Sequence, residues 1–300
     1  MAITRASGTV RPGRLLVGPI SAVGVVTAFG AFVLASRFGF ATSALTAADL
    51  LAIRFTTAAA IAVPLLWWRR PKWPGIAVLV AMALSGGLGF SALAYLGFSR
   101  APASHGSALI HGMLPLFTAL LAFAAGRRVP RAVEAGGLAM VTAGALGLVL
   151  GESRGLYLAG DVLLLAASLS WAAYGLLVRR SGLAATDAAA FVVVLSAVVY
   201  LPAYCVLGSP ESLPAAGAHQ LALQAAVQGV LVGFASVWFY SMAASALGPQ
   251  RTAAAASLVP AVVAVSAVPL LGEHLSAATA LSVLLVVIGA VTAVPGPRRA

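Results

Sequence analysis

Arg54 interrupts an otherwise apolar segment of this 300-residue sequence, about a third of the way from Ala47 to Trp68. If such a segment lies in lipid, a charge at that depth costs about 2.5–3.5 kcal/mol, so the side chain should face a wet cavity or a polar partner. A guanidinium in this position is suited to binding a substrate carboxylate. The alternative is a structural anchor to helix ends or to Asp49, which is five residues earlier.

His111 and Pro115 form a second polar position inside an apolar segment. They are four residues apart and therefore lie on one face of a helix. Proline has no amide proton for the carbonyl of residue 111, so this face becomes locally polar. The imidazole could donate hydrogen bonds in a cavity or carry a proton, or it could be packed against a neighbouring helix. His105, His219 and His274 fall at segment ends or in loops, where we expect interfacial positions.

Aromatic side chains recur at helical spacing in other apolar segments. Trp171 and Tyr174 are three residues apart, Phe234 and Trp238 are four apart, and Phe90 occupies a matching position in the first half of the chain. Such rings can line an amphipathic cavity, where they stack on a ligand while indole and hydroxyl groups orient it. Helix packing or an interfacial aromatic belt is the alternative. We expect at least two of these rings to line a cavity.

The composition places these residues in a membrane protein. Hydrophobic residues make up 61% of the chain and charged residues 8%, against about 45–50% and about 25% in soluble domains. The 18 basic and 7 acidic side chains cannot cover the surface of a soluble domain of this size. An ordinary cytosolic enzyme, a disordered chain and a secreted disulfide scaffold are therefore excluded. The single cysteine, Cys205, is expected to be a packing residue.

The apolar segments predict an all-α integral membrane protein with ten transmembrane helices. About 20 apolar residues cross the hydrocarbon layer as a helix, and these segments lack the alternation of barrel strands. The run from Leu15 to Ser36 is too long for a signal peptide, so it is counted as the first span. The predicted spans are Leu15–Ala35, Ala47–Trp68, Pro74–Phe98, Ser104–Ala125, Val133–Leu150, Leu158–Val178, Ala188–Leu207, Leu221–Ala244, Thr252–Leu271 and Ala277–Val294.

The basic residues predict the orientation of these spans. With the N-terminus inside, the inner segments hold 14 lysines and arginines, the outer segments hold 3, and Arg54 lies within a span. This is the bias that cytoplasmic loops show. We therefore expect both termini in the cytoplasm and a multi-pass protein of the cell inner (plasma) membrane. The net charge of +11 is dispersed among the loops, so nucleic acid is not an expected partner.

The two halves of the chain align with each other at an offset of about 143 residues. Phe29, Phe32 and Arg37 align with Trp171, Tyr174 and Arg179, and Pro115 aligns with Pro260. Five helices is an odd number, so a second copy must enter the membrane from the opposite face and form an inverted repeat. We expect a cytoplasmic tail at 1–14, a first repeat at 15–152, a second at 153–296 and a tail at 297–300. The paired prolines are candidate hinges for gating.

With this architecture, the sequence resembles the drug/metabolite transporter superfamily, in particular its ten-helix EamA-like branch of metabolite exporters. The first copy departs from the family pattern, because Gly126-Arg127 replaces Gly-Glu. The motifs that carry the resemblance are Leu51-Ala52-Ile53-Arg54-Phe55, Leu114-Pro115-Leu116-Phe117, Gly160-Asp161 followed by Trp171-Ala172 and Arg179-Arg180, Val259-Pro260 and Leu271-Gly272-Glu273.

The resemblance implies a transporter that exports small metabolites by alternating access between inverted repeats. A cavity with aromatic rings and one arginine suits neutral or zwitterionic compounds, with amino acids as the first expectation. We expect a substrate cavity formed by the residues above, a monomer in the lipid bilayer, and neither enzyme activity, cofactor nor metal. The alternatives are an intramembrane serine hydrolase that uses Ser91 with His111, and a lipid flippase or channel.

Overall fold

The computed structural model describes residues 12–126, 129–151, 157–208 and 212–294, and it is all-helical over these ranges. The predicted tails and the Gly126-Arg127 motif lie wholly or partly outside them. Within the described ranges, nine helices are long and apolar enough to cross a membrane, and a tenth apolar helix is shorter. They are α1 (Leu16–Thr42), α2 (Ala47–Arg69), α3 (Ile76–Phe98), α4 (Ala103–Ala124), α5 (Ala132–Leu150), α6 (Leu158–Ser181), α7 (Ala185–Leu207), α8 (Ala218–Ala246), α9 (Pro249–Leu271) and α10 (Ala277–Thr292).

These helices confirm the predicted all-α membrane fold, and most boundaries agree within a few residues. The largest difference is at α1, which continues to Thr42 instead of ending near Ala35. Arg37 marks the predicted end, but in the structure its Nη1 donates to the carbonyl of Phe98 at 2.8 Å. Its Nε lies 3.5 Å from a carboxylate oxygen of Glu273. Because the charge is satisfied by other helices, the helix does not need to end there.

Contacts between helix ends show that the two repeats are inverted. Arg37, near the end of α1, contacts Phe98 at the end of α3 and Glu273, which lies just after the end of α9. Both oxygens of that carboxylate, on Glu273, accept the N–H of Ala103, the first residue of α4. The helices α1, α3 and α9 therefore end where α4 begins. We call this side of the bundle the Arg37 end.

The paired helices of the two repeats run in opposite directions. His105 of α4 lies 2.9 Å from Asp161, which is in the first turn of α6, so α6 begins where α1 ends. Arg69, the last residue of α2, lies 2.6 Å from Asp187 in the first turn of α7. The helix α7 therefore begins where α2 ends. We call this second side the Arg69 end, and the distribution of basic residues predicts that it is cytoplasmic.

The helices α3 and α4 are interrupted where helices of the other repeat approach them closely. α3 is broken at Gly87, where a Cβ atom would clash with the Ser196 hydroxyl of α7. That hydroxyl accepts a 3.0 Å hydrogen bond from the N–H of Leu88, so a side chain of α7 satisfies a backbone donor at the break. α4 contains a π-helical turn at Ala108–Gly112, and the Ile110 carbonyl in it accepts a 2.6 Å hydrogen bond from Ser168 of α6. Both interruptions are thus fixed across the repeat interface.

Candidate functional site

Six buried rings from four helices meet at the interface between the repeats. Each is at most 2% exposed. The ring centroids of Phe29, Phe90, Tyr174 and Tyr240 lie 4.5 to 5.5 Å from that of Trp171. The sixth ring extends the group through Phe90 at 5.9 Å. The central aromatic cluster consists of Phe29, Phe32, Phe90, Trp171, Tyr174 and Tyr240.

Helical spacing explains how this cluster forms. Phe29 and Phe32 are three residues apart on α1, and Trp171 and Tyr174 are three apart on α6, so each pair presents two rings on one face. Gly86 of α3 makes room for the second pair, because a Cβ atom there would fall on the Tyr174 ring. The Tyr174 hydroxyl is fixed by a 2.9 Å hydrogen bond to Ser241 of α8. The cluster is therefore tied to both repeats.

The Arg54 guanidinium lies at one side of the cluster. The side chain is 1% exposed, and its guanidinium carbon is 5.3 Å from the centroid of the Phe32 ring. It also interacts with the hydroxyl of Tyr95. Its stem passes close to Gly233 of α8, where a Cβ atom would lie 3.3 Å from the arginine Cγ. Among the described residues, its Nε and Nη1 have no hydrogen-bond partner, so part of a buried cation is left unsatisfied.

His111 lies at another side of the cluster, with its ring centroid 4.6 Å from that of Phe29. It is 1% exposed. The ring interacts with the backbone of Ser107, one turn earlier. Neither ring nitrogen makes a hydrogen bond of normal geometry with the part of the chain that the structure describes. The π-helical turn at Ala108–Gly112 includes this residue and sets the direction of the ring.

Three further buried polar groups, two on cluster residues and one on the chain neighbour of Phe90, lack a partner within the described ranges. They are the hydroxyl of Ser91, the indole N–H of Trp171 and the hydroxyl of Tyr240. A buried polar group without a hydrogen bond costs about 1–3 kcal/mol, and native proteins contain few of them. Because several such groups lie on or next to one set of buried rings, we take the central aromatic cluster as the candidate site. The rings are nearly fully buried, so the cluster is closed to solvent in this structure.

The structure places the predicted cavity residues in two different regions. Trp171, Tyr174 and Phe90 belong to the central aromatic cluster, and His111 and Arg54 contact its rings. Phe234 and Trp238 do not. They are half-buried and line a separate groove of about 550 Å³ together with Ile61, Pro64, Leu65, Trp68 and Thr186.

The helix geometry of α8 accounts for this correction. The residues Ala225–Ser236 form a π-helix, which turns less per residue than the α-helix assumed from the sequence. The face predicted to carry Phe234 and Trp238 inward is thereby rotated, and Tyr240 supplies the buried ring instead. Gly229 and Gly233 of the same segment pack against α2. The π-helical segment therefore places these two glycines directly against α2 near Arg54, whereas the Phe234 ring lines a groove beside the later turns of the same helix.

Asp49 is not the partner of Arg54. Its carboxylate accepts hydrogen bonds from Thr46, from the Tyr204 hydroxyl at 2.6 Å and from the Ser212 hydroxyl at 2.8 Å. It thus caps the start of α2 and joins it to the end of α7. Five residues place Asp49 more than one helical turn away from Arg54, and nearer donors occupy it.

His105 is also placed differently from the prediction. It is fully buried and bonded to Asp161, instead of lying at an interface. The ring of Tyr157 covers this pair, with centroids 5.6 Å apart. His219 and His274 are exposed, as expected for positions outside the helix centres.

Sequence reasoning missed several residues of the site. Phe29 and Phe32 carried a usable signal, because they align with Trp171 and Tyr174 in the repeat. Tyr95 carried none. Its hydroxyl donates to Gln228 of α8 at 3.0 Å, and the amide of that residue donates to Ser36 of α1 at 3.0 Å. This chain joins three helices beside Arg54 through residues far apart in the sequence.

Pro115 and Pro260 occupy matching places in the two repeats. Each is buried and lies at the start of the second segment of its helix, after a turn at Met113 or Leu258. The Pro115 carbonyl accepts a 3.3 Å hydrogen bond from Gln250, the second residue of α9. Both prolines thus mark points where α4 and α9 change helical geometry.

The geometry gives no support to a serine nucleophile. A hydrolase needs the serine hydroxyl to donate to a base within about 2.6–3.2 Å. The Ser91 hydroxyl and both nitrogens of His111 have no hydrogen-bond partner in residues 12–126 or the other described ranges, so the two side chains are not bonded to each other. Among the described residues, no three His, Cys, Asp or Glu side chains lie close enough together to hold a metal ion.

The comparisons with known proteins agree with this architecture. One solved crystal structure matches this chain with a TM-score of 0.61 and 22% sequence identity. The match covers 94% of this chain and 96% of the chain in that structure, and at this identity the likeness concerns the fold. No curated protein matches the sequence. The EamA-like transporter family matches the chain twice, at residues 16–150 and 158–294. This chain is therefore a multi-pass membrane protein that belongs to the EamA-like transporter family.

Proposed function

We propose that the protein exports small neutral or zwitterionic metabolites, with amino acids as the first class to test, and that the central aromatic cluster is the binding site. The observation that carries this proposal is the set of unpartnered buried polar groups around the cluster, on Arg54, Ser91, His111, Trp171 and Tyr240. A ligand that accepts and donates hydrogen bonds there would remove an energetic cost of the free protein.

The charges of the site favour a carboxylate. Arg54 is the buried cation beside the cluster, and its unpartnered nitrogens can form charge-assisted hydrogen bonds. The acidic side chains placed above are bonded elsewhere, Asp49 to Tyr204, Asp161 to His105 and Asp187 to Arg69. The ammonium group of an amino acid would instead lie against ring faces, which attract cations. Several phosphates would require more buried cations than Arg54 alone supplies.

Alternating access would use the inverted repeats. α1 and α6 supply paired rings from opposite orientations, so a rocking motion of one repeat against the other opens the cluster to one side at a time. Pro115 and Pro260 are the proposed hinges, because each lies where its helix changes geometry. In this proposal both termini and the Arg69 end lie in the cytoplasm of a cell with an inner membrane, and the working unit is a monomer.

Counterflow of radiolabelled amino acids in proteoliposomes tests the proposal. We expect saturable exchange for at least one member of an amino-acid panel, and Arg54→Gln to raise the apparent KM at least tenfold through loss of the carboxylate contact. Arg100→Gln is the matched control, because Arg100 is exposed and its Nη1 donates to the Leu96 carbonyl of α3. A folded Arg54→Gln protein with unchanged exchange would overturn the assignment.

A further inference from the structure

A groove of about 610 Å³ lies at the Arg69 end of the bundle, between α2 and α7 and away from the central aromatic cluster. The loop after α2 closes one side of it. The residues that line the groove are Val63, Leu66, Trp67, Arg70, Pro71, Trp73, Phe191 and Val194.

The groove has an apolar wall and an aromatic, basic rim. Val63, Leu66 and Val194 form the wall, which suits an acyl chain. Trp67 is 77% exposed and Trp73 is 73% exposed. Exposed tryptophans of membrane proteins are enriched at the level of the lipid headgroups. The rim therefore lies at headgroup depth, and the wall extends into the hydrocarbon layer.

The charges at this rim favour an anion. The only acidic side chain that the structure describes close to it, Asp187, is bound to Arg69 at 2.6 Å and is 12% exposed. Arg70 keeps its charge free of an acidic partner in the described part of the chain, and its guanidinium lies 6.0 Å from the centroid of the Trp67 ring. Lys72 is exposed two residues later. A zwitterionic headgroup would find no free carboxylate here for its cationic part.

The backbone of Arg70 is a second, independent observation. Arg70 caps α2 with φ 44° and ψ 52°, and it is the one non-glycine residue with positive φ in the ranges the structure describes. Helices that end in this left-handed conformation normally use glycine or asparagine, because a Cβ atom is unfavourable there. An arginine makes the backbone at this position less stable than a glycine would, which indicates that its side chain has a role there.

From these features we propose that the groove binds an anionic phospholipid. Arg70 binds the phosphate of the headgroup, Trp67 and Trp73 lie beside the glycerol region, and one acyl chain packs on Val63 and Leu66. This inference does not rest on the proposed transport function, because it involves no residue of the central aromatic cluster.

Native mass spectrometry of the detergent-purified protein tests this site with dioleoyl phosphatidylglycerol and dioleoyl phosphatidylcholine as probes. We expect the wild type to bind phosphatidylglycerol at least fivefold more tightly than phosphatidylcholine. Arg70→Gly should abolish that preference while the melting temperature without added lipid stays the same or rises, because glycine relieves the left-handed strain. A purely structural arginine would move the melting temperature in the opposite direction.

The matched control is Arg180→Gln, which removes one exposed positive charge at the Arg69 end, at the last turn of α6. It should retain the preference for phosphatidylglycerol. Equal loss in both variants would overturn the site and leave only a general effect of charge, and so would unchanged binding by Arg70→Gly. Arg70→Asn, which also tolerates left-handed backbone, supplies the same readout if the glycine variant is poorly produced.

Discussion

The repeat-related pairs α1/α6 and α3/α8 have kept different amounts of their symmetry. Phe29 and Phe32 of α1 and Trp171 and Tyr174 of α6 align in the sequence, and all four rings meet in the central aromatic cluster. Phe90 of α3 joins them, but its mate on α8, Phe234, lines a separate groove between α2, α7 and α8. One pair therefore preserves the direction of its side chains and the other does not.

The difference teaches that duplication preserves the path of the helices more faithfully than the faces they present. α1 and α6 are continuous α-helices over the ring positions. α3 is instead broken at Gly87, and α8 is π-helical from Ala225 to Ser236. Different local hydrogen bonding rotates equivalent positions by different amounts, so sequence symmetry at Phe90 and Phe234 does not become structural symmetry.

Alanine substitutions of this divergent pair should give the largest contrast. Phe90→Ala removes a fully buried ring from the cluster, and such substitutions cost about 3–5 kcal/mol. Phe234 is half-buried, so Phe234→Ala should cost about 1 kcal/mol or less, because little packing is lost. Reversible unfolding in mixed micelles measures both, and counterflow should be lost only in the first. Equal effects would show that the two positions are still equivalent.

Two glycines probe the same packing with a smaller change. A Cβ atom at Gly86 would fall on the Tyr174 ring, whereas Gly136 of α5 has open space around it. Gly86→Ala should destabilise the protein by about 1–3 kcal/mol through overpacking and displace the ring. Gly136→Ala should instead stabilise it by about 0.5–1 kcal/mol, since alanine is the better helix former. Quenching of tryptophan fluorescence would change only in the first variant, because Trp171 is the neighbour of the displaced ring.

The helices of this fold could be predicted from the sequence because the length of each apolar segment and the basic residues that flank it are local features. Ten helices in two inverted copies follow from helix length and the repeat offset, and in its described ranges the structure has nine helices of spanning length and a shorter tenth one. The contacts made by single polar residues could not be predicted in the same way. His105 and Asp161 are 56 residues apart, and nothing local shows that two helices bring them within 2.9 Å.

The candidate site was predictable only where helical periodicity holds. Trp171 and Tyr174 were identified because three-residue spacing places both rings on one face. Trp238 was misplaced because a sequence gives no sign of π-helical hydrogen bonding. Arg54 was identified by its rarity, but its surroundings, Phe32, Tyr95 and Gly233, come from three other helices.

The hydroxyl groups of Tyr174, from the symmetric pair, and Tyr240, from the divergent pair, give the smallest and sharpest test of the comparison. Phe32, the repeat mate of Tyr174, has no hydroxyl, and Tyr174 uses its own to bond Ser241 at 2.9 Å. Tyr174→Phe should therefore lower the free energy of unfolding by about 0.5–1.5 kcal/mol. The loss should be at the low end, because Ser241 keeps its hydrogen bond to the Val237 carbonyl.

Tyr240→Phe removes a buried hydroxyl that has no partner in the described chain, so it should leave stability unchanged or raise it. If that hydroxyl forms a hydrogen bond with the substrate, the same variant should weaken substrate binding, as measured by the shift of melting temperature with substrate. Opposite signs in stability and binding for Tyr240→Phe, but not for Tyr174→Phe, would separate a hydroxyl that only stabilises the fold from a hydroxyl that also binds substrate.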